Sequence, residues 1–552
     1  MSESTQPRNG GQILVEALRS NAVDTLYCVP GESYLPVLDA LCDAPSIRTI
    51  VTRHEGAASN MADAYGKLTG RPGICFVTRG PGATHASNGV HTARQDSTPM
   101  ILFVGQIESR FKGREAFQEV DYVQMFGGLA KWATEIDSIE RIPEIVNKAF
   151  AIALSGRPGP VVVALPEEVL FGSAQVIDAP AVKISQSNPD PASLTALRDV
   201  LAAAKTPLVI VGGTGWNLEA TQAFQRFVQA NDLPVAASFR RQDLLDNRDP
   251  HYVGQLGLGT SPKLLERVKS ADVLLVVGSR LSETVSQGYT TIESPTPSQR
   301  LIHVHPDPQE LNRVYRAELP MLASMQAFAA ASASLEPVDS SAWKEWRAEA
   351  RADYIEHSTA PLPHPQLTGV DMGAVMTHLN AVLPDDAVIS NGAGNYTVWV
   401  HRFYRYRHPA TELAPTNGAM GYGLPAAIAA KLHAPERTVV CFAGDGCFMM
   451  YPQELATAMQ FNAAIIVIVV NNGMLGTIRM HQEREYPGRV SATELMNPDF
   501  IALAKSFGAH AELVERTEDF AAAFQRAQQA GVAALLELRV DRKQITPQSR
   551  LD

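Results

Sequence analysis

Residues 443–472 read AGDGCFMMYPQELATAMQFNAAIIVIVVNN. Just before them, Arg437–Phe442 is a short apolar run that reads as a buried strand. Gly444-Asp445-Gly446 then turns the chain, Pro452–Phe461 carries helical periodicity, and Ile465–Val470 forms a second strand running into Asn471-Asn472. Asn472 follows Asp445 by 27 residues, the length of one strand–helix–strand crossover. Both side chains are therefore expected at the carboxyl ends of neighbouring parallel strands, where open α/β sheets bind ligands. An Asp carboxylate and an Asn carbonyl are hard oxygen ligands of the kind Mg²⁺ takes beside phosphates. Gly444 and Gly446 let a phosphate approach the backbone, and the following helix start offers free N–H donors. The plainer account is an Asp that caps a helix and an Asn pair that ends a strand. The two halves at this spacing around a helix favour the ligand site.

The same alternation extends through the chain. Val- and Ile-rich runs at Gly73–Thr78, Met100–Val104, Val161–Ala164, Pro207–Val211 and Val273–Val277 read as buried parallel strands. Helical periodicity marks Gln12–Ser20, Gly56–Thr69 and Ser193–Ala203. Two stretches break the pattern: Ile177–Pro191, rich in Pro, Ser and Asp, and His357–Pro365, with three prolines in nine residues. Each reads as a linker. The expected fold class is α/β, with three doubly wound parallel-sheet domains over 1–180, 190–340 and 365–552. RPGICFVTRGPGATH (71–85) and RTVVCFAGDGCFMM (437–450) echo each other as strand, glycine turn and helix. Duplication of an α/β domain and chance likeness both account for the echo.

A chain of 552 residues exceeds one hydrophobic core. With 45% hydrophobic and 19% charged residues it has a globular balance, and its formal charge of −11 disfavours nucleic acid and anionic lipid as partners. The longest apolar runs, such as Ala463–Val470, fall short of a bilayer span, and the amino terminus lacks the basic start and apolar core of a signal peptide. Five scattered cysteines without a C-x-x-C pair point to a reducing, cytoplasmic setting.

GDG followed after this interval by NN resembles the signature of thiamin diphosphate-dependent enzymes, and the whole chain is similar to the acetolactate (acetohydroxyacid) synthase group of that superfamily. The resemblance implies that Asp445, the Asn472 side chain and the Met474 main-chain carbonyl hold Mg²⁺ against the diphosphate. It implies cofactor contacts from Gly444, Gly446 and Cys447, hydrogen bonds from Asn395 and Tyr396, and a pyrimidine loop at Gly418 in which Met420 wedges the cofactor into a bent shape. Taken alone, Glu55 in Thr52-Arg53-His54-Glu55-Gly56-Ala57 reads as a capping or dipole partner of a helix start. By resemblance it is the catalytic glutamate, hydrogen-bonded to the pyrimidine ring. The family also implies a homodimer or homotetramer with Glu55 acting across the subunit interface.

Substrate-side positions follow from the same resemblance: Gly31, Phe117, Gln118 and Lys131 in the first domain, Arg280 in the second, Thr477 and His481 in the third. Two departures matter. The family's G-A-R-F-D-D reads Gly278-Ser279-Arg280-Leu281-Ser282-Glu283 here, which weakens the case for FAD and leaves the middle domain empty or holding an adenine nucleotide without redox work. The family's tryptophan after the NN pair is replaced by His481, which changes the shape and polarity of the second-substrate pocket. The expected reaction is carboligation: a 2-oxo acid is decarboxylated and its acyl-anion equivalent joined to a second carbonyl. The alternative is a thiamin diphosphate-dependent C–C lyase or decarboxylase acting on a 2-hydroxy acid, a 2-oxo acid or its CoA ester. Remoter ones are a nicotinamide oxidoreductase, opposed by Leu218 where Gly213-Thr214-Gly215 needs a third glycine, a metal hydrolase built on His303-Val304-His305, for which a loop is expected, and a non-catalytic nucleotide-binding member.

Overall fold

The computed structural model describes residues 6–551. Three six-stranded sheets carry the fold, and every strand pairing within them is parallel. The chain divides into two compact units. One comprises Met1–Ser185, Leu424–Pro435 and Tyr451–Ala463; the other Gln186–Gly423, Glu436–Met450 and Ala464–Asp552.

The first unit holds one sheet. Its strands are β1 (Thr25–Cys28), β2 (Arg48–Val51), β3 (Gly73–Val77), β4 (Met100–Gln106), β5 (Trp132–Glu135) and β6 (Pro160–Pro166), in spatial order β2-β1-β3-β4-β6-β5. All residues of β4 and β6 are buried, as expected of central parallel strands covered on both faces. That burial explains their apolar composition, with Val161, Val162 and Val163 consecutive.

The second unit holds the other two sheets. The middle sheet contains β7 (Pro207–Val211), β8 (Val235–Ala237), β9 (Tyr252–Gln255), β10 (Val273–Val277), β11 (Arg300–His305) and β12 (Leu319–Leu322), ordered β9-β8-β7-β10-β11-β12. His303 and His305 lie on β11 rather than in a loop, because β11 pairs on both sides with β10 and β12. His303 is hydrogen-bonded to the Ser279 carbonyl, and burial holds both imidazoles below their usual range. Among the described residues they join no metal-ligating cluster.

The last sheet contains β13 (Val388–Asn391), β14 (Glu412–Leu413), β15 (Val439–Gly444), β16 (Ile466–Asn471), β17 (His510–Val514) and β18 (Ala534–Arg539), ordered β14-β13-β15-β16-β18-β17. Counted within each domain, the first and last sheets share the strand order 2-1-3-4-6-5, whereas the middle one runs 3-2-1-4-5-6. The echo at 71–85 and 437–450 thus sits on the third strand of two sheets with one topology. It is not a full repeat. The helix after β3 runs Pro81–Asp96, whereas the helix after β15 is only Asp445–Phe448, followed by Glu454–Gln460. In both sheets the strand order reverses between strands one and three, and that crevice is where doubly wound sheets take ligands.

Candidate cofactor site

At the reversal point of the last sheet, a cavity of about 280 Å³ opens beyond the strand ends. Ala393–Asn395 follow β13, Asp445–Cys447 follow β15, Asn472 and Met474 follow β16, and Val540 and Asp541 follow β18; all of them line it. Gly418, Met420, Tyr396, Gly444, Leu475, Thr477 and Ile478 line it as well, and Asp371 adds a further carboxylate to the wall.

Strand β15 continues two residues beyond Phe442, so that Asp445 opens the next helix rather than capping it; the N-cap is Gly444 and has no side-chain bond. The Asp445 carboxylate instead accepts from Asn497 Nδ2 at 2.7 Å and from the Gly473 N–H at 2.9 Å. It is buried, at 2% exposure, and burial pushes its pKa up against those two hydrogen bonds. Among the described residues it has no ion pair. A carboxylate held here without a cation fits a site completed by a metal ion.

The two asparagines that end β16 part company. Asn471 turns inward, donating to Glu537 Oε1 at 2.7 Å and accepting from Asn497 at 3.1 Å. Asn472 faces the cavity, its Oδ1 accepting, among the described residues, only the Met474 N–H at 3.2 Å. Gly444 packs closely, since a Cβ there would stand 3.1 Å from the Tyr396 ring. Asn395 reaches Thr477, whose Oγ1 donates to Asn395 Oδ1 at 2.9 Å. The Tyr396 hydroxyl donates to Cys447 Sγ at 3.4 Å and accepts from Gly392 N at 3.1 Å. His481 is exposed, with Arg484 at 3.0 Å from its Nδ1, and is not among the residues lining the cavity.

The first sheet has its own cluster at the equivalent reversal point. His54, not Glu55, caps the helix Glu55–Thr69, its Nδ1 accepting the Gly56 N–H at 3.0 Å. Freed from that role, Glu55 puts Oε2 2.8 Å from His85 Nδ1, and the His54 and His85 rings stack with centroids 4.6 Å apart. Burial lowers the His54 pKa, and the neighbouring His85 lowers it further. Gly80 adopts φ +62 before the helix Pro81–Asp96, and a Cβ there would stand 2.8 Å from the Cβ of Gln118, which brings Gln118 onto this turn. Gly31 touches the same region, with its missing Cβ 2.4 Å from Thr78 Cβ. Phe117 is 75% exposed. Lys131 caps carbonyls at the end of the helix Ile142–Leu154, donating to Ile152 O at 2.6 Å and also to Ser155 O.

The thiamine pyrophosphate enzyme N-terminal TPP binding domain matches residues 8–125, the central domain 194–332 and the C-terminal TPP binding domain 392–538. The acetolactate synthase isozyme 2 large subunit of Escherichia coli (strain K12) is 31% identical over 97% of this chain and 96% of its own length. This chain belongs to the thiamin diphosphate-dependent enzyme family. The acetolactate synthase large subunit of Parasynechococcus marenigrum (strain WH8102) is 32% identical over 95% of the chain and 87% of its own. The Escherichia coli isozyme 3 large subunit is 31% identical over 91% and 88%.

Several residues of this thiamin diphosphate-dependent enzyme escaped the sequence. Asn497, which orients Asp445, lies 52 residues downstream of it with no motif around it. Arg240, buried beyond β8, donates from Nη2 to the Gly392 carbonyl at 3.1 Å and from Nη1 to Pro415 O, tying together two loops that lead into the cavity. In the middle domain Arg280 faces Glu310, with Nε 3.3 Å from the carboxylate.

Glu454 was missed as well. Fully buried, it accepts from the Arg53 N–H at 3.1 Å and from Thr457 Oγ1 at 2.6 Å, fixing the segment that presents His54 and Glu55. Burial pushes its pKa up to about 7, against an ordinary value of 4.5. A raised carboxyl pKa stabilises the fold fully below the unfolded value, and that contribution is lost as pH rises to about 7. Glu454→Gln should therefore flatten the fall in melting temperature between about pH 5 and pH 8, a loss on the order of 3 kcal/mol in the wild type. Parallel melting curves for the two proteins would contradict this.

Proposed function

We propose that this enzyme is a carboligase of the acetolactate synthase type, decarboxylating a 2-oxo acid and joining the fragment to a second carbonyl. The observation that carries it is the buried Asp445 carboxylate, without an ion pair among the described residues, in a cavity walled by Gly444–Cys447, Asn472 and Met474. Asp445, the Asn472 side-chain carbonyl and the Met474 main-chain carbonyl would hold Mg²⁺. Asn395 Nδ2, which among the described residues meets only the thioether of Met480 at 3.5 Å, would donate to the diphosphate. Met420 would support the bent cofactor, with Gly418 beside it. When bound, thiamin diphosphate supplies the electron sink that lets a 2-oxo acid lose CO₂.

The chain's own residues do the rest. Glu55 holds and releases the proton that controls the cofactor ring, and its low exposure suits that task. Gly31, Gln118 and Phe117 belong to the substrate side of the first domain; Thr477, bonded to Asn395, belongs to that of the third. Lys131, Arg280 and His481 are assigned there by family resemblance alone, and in this chain each side chain is engaged as described above. Two copies, as a homodimer or homotetramer, would bring Glu55 of one to the diphosphate site of the other. Three domains over 1–180, 190–340 and 365–552 and a cytoplasmic setting complete the proposal, with the middle domain empty or holding an adenine nucleotide rather than a working FAD.

The test incubates the purified enzyme with pyruvate, thiamin diphosphate and Mg²⁺ and assays acetolactate, acetaldehyde and CO₂ separately. Acetolactate or another ligated product with CO₂ is the expected result. Acetaldehyde without ligated product would overturn carboligation in favour of a decarboxylase.

A further inference from the structure

We propose that Arg240 and Cys447 clamp the two ends of the loop that carries Met420, so that an arginine of the middle domain sets the fit of the cofactor's pyrimidine end. The inference rests on the proposed role of Met420 in supporting the bent cofactor. No strand or helix lies between Leu413 and Gly423. Met420 stands there between two glycines in the left-handed region, Gly418 at φ +72 and Gly421 at φ +82. Glycine backbone has many conformations open to it, so the shape of this loop is decided by what holds it.

Both ends are held. At the entry, the Pro415 carbonyl accepts from Arg240 Nη1 and from the Gly418 N–H, the latter at 3.1 Å. At the exit, the Gly421 N–H donates to Cys447 Sγ at 3.1 Å. Gly392 joins the two. Its carbonyl accepts from Arg240 Nη2 at 3.1 Å, and a Cβ there would stand 2.5 Å from Cys447 Sγ and 3.4 Å from both Ala419 O and Gly421 N. The Met420 loop thus leans on a backbone segment that the same arginine holds.

Arg240 is itself fixed. It is 3% exposed, and its guanidinium lies 4.7 Å from the Phe239 ring centroid. Its φ of +60 is uncommon for a residue with a side chain, and such backbone persists only where its surroundings impose it. The segment after it is tied to the last domain. The Gln242 N–H donates to Glu412 Oε2 at 2.6 Å, the Asn247 N–H to Tyr406 O at 2.8 Å, and the Tyr406 N–H to Asn247 Oδ1 at 3.0 Å. The metal side has separate supports, since Asp445 is held by Asn497 and the Gly473 N–H. Arg240 and the Cys447 thiol are therefore positioning residues that act through Met420.

The test titrates the cofactor-free enzyme calorimetrically with thiamin diphosphate and, separately, with inorganic diphosphate, each with Mg²⁺. Arg240→Ala and Cys447→Ala should each bind thiamin diphosphate about tenfold more weakly, because each leaves buried loop groups without a partner. Both should bind inorganic diphosphate as the wild type does. Cys447→Ser, which keeps an acceptor for the Gly421 N–H, should recover part of the loss. Combined with Met420→Ala, either substitution should weaken binding no further than about twofold beyond Met420→Ala alone, as expected of residues acting through one another. Should Arg240→Ala not fold, the Cys447 variants decide. Wild-type affinity for thiamin diphosphate in either folded variant, an equal loss for inorganic diphosphate, or losses that add to that of Met420→Ala would each overturn the clamp. Undiminished thiamin diphosphate affinity in Met420→Ala is a separate outcome: it would refute the role of Met420 itself.

Discussion

Asp445→Ala is expected to abolish metal-dependent binding of thiamin diphosphate. Asp445 is the sole carboxylate in the ligand set proposed here, whose other members, the Asn472 side chain and the Met474 main chain, offer neutral carbonyls. Removing even an outer-shell partner typically weakens a metal site 10–100-fold, so losing the charged ligand should weaken it by more than roughly 10²-fold. Calorimetric titration of the variant with thiamin diphosphate and excess Mg²⁺ checks this. Asn497→Ala, which leaves Asp445 in place but removes its 2.7 Å donor, should fall in between with a loss of about tenfold. Undiminished affinity in Asp445→Ala would sink the metal assignment. Because Asp445 is buried and its removal relieves an unfavourable charge, the variant should fold, and its melting temperature provides the control.

The second large effect separates chemistry from binding. Glu55→Gln keeps the size and one acceptor of the side chain but cannot exchange a proton. Deuterium exchange at the cofactor's C2 position and turnover should fall by roughly 10²–10⁴-fold while metal-dependent cofactor affinity changes little. The separation follows from the architecture, since Glu55 opens a helix that follows a strand of the first sheet and Asp445 one that follows a strand of the last. A Glu55→Gln enzyme that turns over normally would place proton control elsewhere. One that fails to bind the cofactor would make Glu55 a binding residue instead.

What the sequence revealed, and what it hid, follow from how local each signal is. Strands β7 and β10 end where their Val- and Ile-rich runs end, because fully buried parallel strands are apolar throughout. Strand β15 ran past its apolar core into Gly444, because pairing with β16 extends to Gly444 and Val470. The GDG and NN segments were legible because the ligand-bearing residues sit next to the strand ends that position them. Asn497, Arg240 and Glu454 were not legible, because each acts on a segment distant in sequence, through one hydrogen bond or two. His85 lay in plain view within GPGATH, yet only the fold shows that it meets Glu55, 30 residues earlier. The same holds for the Tyr396 hydroxyl, which meets Cys447 Sγ, 51 residues later.

The most direct test of the account is a calorimetric titration of the cofactor-free wild-type enzyme with thiamin diphosphate, once with Mg²⁺ and once with EDTA. The account predicts saturable binding with Mg²⁺ and loss of that binding in EDTA, because the Asp445 carboxylate would otherwise face the diphosphate across an uncompensated charge. Equal affinity in the two titrations would contradict it.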